Sequence, residues 1–125
     1  MEAYITQKKE SFVEICTDLG RIWGIWRSPA PAELRKYIIE LDSSEILTVD
    51  TDKITDYAKP TIKFEDDTVY LNGFVEEVQD NILILRLSNS IMMLQISNKD
   101  DFSSFVNKFV CVELQNISFY DTGIY

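Results

Sequence analysis

A mainly β fold is predicted for this chain: a bent antiparallel sheet forming a small barrel or sandwich, with one short helix. Three observations predict it. Residues 68–97, TVYLNGFVEEVQDNILILRLSNSIMMLQIS, read as three strands rich in Val, Ile, Leu, Tyr and Phe, side chains that suit a pleated, buried surface. Asp80-Asn81 and Ser88-Asn89 interrupt those strands where a hairpin needs residues that tolerate positive φ. Elsewhere, short β-prone runs alternate with turn residues, and closing such a sheet removes its exposed edges.

In chain order, residues 1–10 are polar and are expected to fray. Residues 11–26 predict a hairpin: FVEICT and RIWGIW flank a turn at Asp18-Leu19-Gly20, although Phe12, Ile15 and Leu19 also fit a helical stripe. Ser28-Pro29-Ala30-Pro31 is a break, because proline donates no ladder hydrogen bond. Residues 33–42 predict a strand with Tyr37, Ile39 and Leu41 on one face. Ser43-Ser44 bends it, and Ile46, Leu47 and Val49 continue extended. Residues 50–60, DTDKITDYAKP, predict a loop.

Residues 61–65 predict a strand, and Asp66-Asp67 turns it into the meander. Gly73 breaks the alternation and suggests a bulge. Within the meander, Leu83, Leu85 and Leu87 oppose Ile82, Ile84 and Arg86, while Met92, Leu94 and Ile96 oppose Ile91, Met93 and Gln95. Both faces are mostly apolar. The expectation is that the rest of the chain covers the second face, the alternative being a partner. Asp100 is the predicted cap of a short helix to Lys108, with Phe102, Phe105 and Val106 inward. Strands at 109–114 and 117–120 follow, joined by a turn at Gln115-Asn116. Three strands, a helical linker and two strands from 68 to 120 resemble OB-fold order in this C-terminal half.

The chain has 125 residues, 46% of them apolar, which is one domain with room for a core. No apolar run is long enough for a membrane span, and MEAYITQKKESF lacks an apolar signal core, so a cytoplasmic protein is expected. Cys16 and Cys111 are expected to be buried free thiols. The net charge of −9 is concentrated: residues 40–80 hold twelve acidic side chains against Lys53, Lys59 and Lys63. That argues against binding nucleic-acid phosphates and for binding something basic.

Motifs of chemistry are mostly absent. There is no histidine, no CxxC and no P-loop, GxGxxG or GxSxG run. Asp50, Asp52 and Asp56 copy part of a calcium loop but lack its glycine and late glutamate. Asp66-Asp67, Glu76-Glu77 and Asp100-Asp101 are adjacent carboxylates, which a regular strand sends to opposite faces. No enzyme, cofactor or metal is expected. Trp23 and Trp26, three residues apart on a strand, face opposite ways, so one suits the core and one an interface. Phe74, Phe119 and Tyr120 are expected in packing rather than in base stacking.

The runs IWGIWRSPAPAELRKYIIELDSSEILTVD, VYLNGFVEEVQDNILILRLSNSIMMLQI and FVCVELQNISFYDTGIY resemble small bacterial immunity proteins of contact-dependent growth inhibition and related polymorphic toxin systems. The chain departs from that pattern near Ala32 to Leu34, where a glycine is expected. The resemblance implies one-to-one binding of a cognate toxin domain, often a nuclease, and offers no catalytic residues. Acidic side chains would pair with the basic groups of such a toxin. The candidate contacts are Asp50, Asp52, Asp56, Asp66, Asp67, Glu76, Glu77 and Asp80, with Trp26 or Tyr57 as an apolar anchor. The alternatives are an OB-like single-stranded nucleic-acid module and a homo-oligomeric structural subunit.

Overall fold

A computed structural model describes residues 1–48, 52–55 and 57–123. Its organising feature is a closed ring of five strands. The ring begins with β1 (Glu2–Lys9), which pairs antiparallel with β2 (Phe12–Thr17) and β4 (Lys36–Asp42). β2 pairs with β3 (Gly20–Trp26), and β12 (Ser118–Asp121) fills the gap, antiparallel to β4 and parallel to β3. Numbered within the ring, the order is first, second, third, fifth, fourth, and back to first. That is the order of an OB barrel. It closes through the N-terminal strands and the last strand, with everything from 43 to 117 inserted before closure, so the OB-like order expected over residues 68–120 of the C-terminal half is instead built mainly by residues 2–42.

The remaining strands bond outside the ring. β7 (Thr61–Glu65) meets β3 in parallel at Gly20 and Ile62 and turns into β8 (Thr68–Gln79). β9 (Ile82–Leu87) and β10 (Ser90–Ile96) complete the meander, and β5 (Ile46–Leu47) adds in parallel to β10. β11 (Phe109–Leu114) lies on the other edge of β8 and carries β6 (Asp52–Ile54). The last strand therefore leaves the meander for the ring, while β5 occupies the edge of β10.

The meander and its turns form as predicted. Asp66 and Asp67 both take positive φ, 52° and 59°, as a tight hairpin requires, and Asp80 (54°) and Ser88 (61°) do the same. Residues 32–34 all keep negative φ, so the missing glycine is not needed there. Asn98, not Asp100, caps the helix α1 (Lys99–Phe102), accepting from the Asp100 amide, and a 3₁₀ turn at Ser103–Phe105 follows. Phe102 and Phe105 are buried as expected.

Four expectations are corrected. Residues 1–10 do not fray: Ala3 and Ile5 are buried in the ring, the N-terminal amine donates to the Ile39 carbonyl at 3.0 Å, and Lys36 pairs with Glu2 at 2.7 Å. The 50–60 segment is not all loop, because the free edge of β11 captures β6. The bulge in β8 falls between Val75 and Glu77, not at Gly73. Gly73 keeps regular pairing and allows close approach, since a Cβ there would lie 2.8 Å from the Arg86 carbonyl oxygen. Cys16 and Cys111 are free thiols but only half-buried.

One cluster of buried side chains runs through the ring and the second sheet. It includes Ile15, Ile22, Ile39 and Phe119 from the ring, and Leu71, Leu85, Leu94, Val112 and Phe102 beyond it. Burying each such side chain contributes about 1.5–3 kcal/mol. No helix among the described residues is long and apolar enough to cross a membrane.

Candidate protein interface

The second face of the meander is left uncovered by the described residues. Leu83, Leu85, Leu87, Met92, Leu94 and Ile96 point into the core, as their alternation requires. The opposite set points outward: Met93 is 58% exposed, Ile91 47%, and Ile46 on the neighbouring β5 61%. Ile84 pairs across the ladder with Met93, and Arg86 with Ile91. Ile84 is half-buried, so an apolar strip runs from β9 over β10, and Ile46 on β5 flanks it beyond the exposed Gln95 that it pairs with. Phe74 and Phe109 extend it at the other end, packed edge to face at 5.6 Å. The expected self-coverage therefore fails on this face. The segment that could have lain over it, 43–47, instead joins the sheet edge to edge.

Acidic side chains border the strip. The β8 bulge breaks the strand alternation, so both Glu76 and Glu77 are exposed. Glu77 stands opposite Ile84 on the ladder, and Asp80 is in the turn joining β8 to β9. Glu76 accepts a hydrogen bond from the Arg86 guanidinium, which also reaches the Ser88 carbonyl at 3.4 Å.

That hydrogen bond holds the Glu76 carboxyl below its ordinary value of 4.5 and raises Arg86. A depressed carboxylate contributes stability that is present above its unfolded pKa and lost as pH falls through the folded one. The pair is expected to stay intact at neutral pH and to open only below pH 4.5. A carbon-13 NMR titration of the Glu76 carboxyl checks this. A midpoint at or above the ordinary value would show that the pair does not form.

The other predicted contacts fall elsewhere. Asp66 and Asp67 form the β7–β8 turn, at the opposite end of β8 from Asp80. Twelve residues separate those ends, up to about 40 Å of extended chain. The acidic segment is thus split between the two ends of β8. Tyr57 is exposed, and its carbonyl, with that of Lys59, accepts from the buried Asn72 amide at 2.8 and 2.7 Å. Asp52 lies in β6, whereas Asp50 and Asp56 fall outside the described residues.

Trp26 is not the free anchor that was expected. Its ring packs against the core and meets Tyr37 edge to face at 4.9 Å, and its indole N–H donates to the Ala30 carbonyl at 2.8 Å. Trp23 is the tryptophan on the outer surface of the ring.

Sequence reasoning missed two organising residues. Asn72 pins residues 57–59. The Glu45 carboxylate accepts the Gln115 and Asn116 amides at 3.0 and 2.7 Å, which fixes the entry to β12. A polar residue between apolar neighbours, as at Asn72 in YLNGF, was the available signal for the first. Among the described residues, no group of three or more acidic or thiol side chains gathers as a metal site. Comparison with family models, with curated proteins and with solved structures finds no match to this chain.

Proposed function

We propose that this protein is a cytoplasmic immunity protein that binds and neutralises a basic toxin domain, of nuclease type, in a one-to-one complex. The observation that carries this reading is the uncovered strip Ile46, Ile84, Ile91 and Met93 with Glu76, Glu77 and Asp80 beside it. Apolar centres with polar rims are the anatomy of protein interfaces, and Met, Arg and aromatic residues are enriched there. The net charge of −9 selects a cationic partner and speeds its encounter. Carboxylates set against a nuclease's phosphate-binding Lys and Arg would displace its substrate.

The same face serves a homodimer less well. A two-fold contact whose axis crosses the strands would set the two acidic rims against each other, and like charges across an interface are costly.

The test is association with the toxin domain of the neighbouring gene. Met93→Lys is expected to weaken binding by about 30-fold or more, as loss of a central anchor does. Its own stability should change by no more than about 0.5 kcal/mol, because the side chain is exposed. Changing Glu76, Glu77 and Asp80 to their amides should slow association and flatten its dependence on salt. Absence of any complex would overturn the function, and an unaffected Met93→Lys complex would overturn this face as its site.

A further inference from the structure

The outer surface of the ring holds a cleft that shares no residue with the meander strip. A cleft of about 610 Å³ lies over β2 and β3, between the β1–β2 turn, the β7–β8 turn and residues 115–117. That volume is in the range of small-ligand sites. Three aromatic side chains from three strands line it: Phe12, Trp23 and Phe64. Phe12 is 44% exposed, so this apolar surface remains open to solvent.

Five polar side chains also line the cleft: Lys9, Glu10, Asp67, Gln115 and Asn116. Among the described residues, none of them spends its side chain on an internal hydrogen bond or ion pair. Gln115 and Asn116 are nevertheless held in place, because Glu45 grips their backbone amides.

We propose that this cleft binds a neutral oligosaccharide. Aromatic rings pack on the apolar C–H face of a pyranose, while carboxylates and amides take its hydroxyls. The cleft offers both. In five-stranded barrels of this order, the face over strands two and three binds either oligonucleotides or oligosaccharides. Charge decides between them here. One lysine stands against two carboxylates in the cleft, on a chain of net charge −9, and a phosphate backbone needs the reverse.

The experiment titrates the full chain with neutral hexasaccharides of β1,4-glucose, β1,4-N-acetylglucosamine and α1,4-glucose, following the two indole N–H resonances by NMR. With at least one sugar, the Trp23 resonance should shift and saturate while that of Trp26 stays still. Trp23→Ala should weaken binding about tenfold or more, as loss of a stacked ring does. Asp67→Asn keeps a residue that tolerates the turn's positive φ, and it should weaken binding without affecting the fold. The proposal fails if no sugar shifts Trp23 at millimolar concentration, or if binding ignores both variants. It also fails if a thymidylate hexamer binds more tightly than any sugar. Toxin binding through the meander strip stands or falls separately.

Discussion

Gly20→Ala is expected to be the most destabilising small substitution in the protein. Gly20 has φ +146°, a conformation that L side chains rarely adopt, and a Cβ there would lie 1.8 Å from the Ile62 carbonyl oxygen. The obstacle is backbone, so no rotamer change relieves it. The same point is the parallel contact where β3 of the ring meets β7, secured by the Ile62 amide donating to the Leu19 carbonyl at 2.9 Å. Alanine must therefore separate ring from outer sheet or strain both. Strain and overpacking together amount to about 3–5 kcal/mol. Against a total stability of about 5–15 kcal/mol, that lowers the melting temperature by about 10 °C or more. Gly123→Ala is the control. It also has positive φ, 72°, but nothing lies within 4 Å of its Cβ position. Its cost should be about 1–2 kcal/mol, from the left-handed conformation alone. Equal costs at both sites, measured by urea unfolding, would show that the ring and outer sheet do not meet as described.

The second large effect concerns ring closure. Phe119 on β12 is fully buried, and its ring passes directly over Gly24 of β3. A Cβ on Gly24 would lie 2.6 Å from the ring and 2.7 Å from the Ile117 carbonyl oxygen. Phe119→Ala should cost about 3–5 kcal/mol through lost burial and the cavity left behind. Gly24→Ala should cost about 2–3 kcal/mol through overpacking. The two positions touch, so their effects should not add. Gly24→Ala combined with Phe119→Leu should cost less than the sum of the singles by about 0.5–3 kcal/mol, because leucine vacates part of the space that the new methyl needs. The contact with the Ile117 backbone persists, so relief is partial. Additivity would mean that the last strand does not close the ring over Gly24.

Some of the candidate interface could be read in advance. Apolar residues on both faces of the meander raised the question of what covers the second one. Among the described residues nothing covers it on β9 and β10, where Ile91 and Met93 stay exposed. The acidic pair Glu76-Glu77 was visible, but its exposure on one side depends on a bulge one turn of alternation away from the glycine that suggested it. The N-terminal strand was hidden by its polar composition. Ala3 and Ile5 alternate correctly, yet they become a strand only because β2 and β4 flank them on both edges. The two tryptophans were assigned to opposite faces, and which one faces outward depended on the ring: Ile22, Gly24 and Trp26 turn in, leaving Trp23 and Ile25 out.

Local chemistry therefore determined the strand class, the meander, the hairpin turns and the concentration of negative charge within residues 40–80, because β propensity, turn tolerance and charge belong to individual residues. Tertiary structure alone decided that the last strand returns to the first four, that β5 and β6 take up free edges, and that the carboxylates divide between the two ends of β8. Backbone donors and acceptors at a strand edge are the same for every sequence. Which edge a strand joins is settled by how its side chains fill the space behind it, as Phe119 does over Gly24.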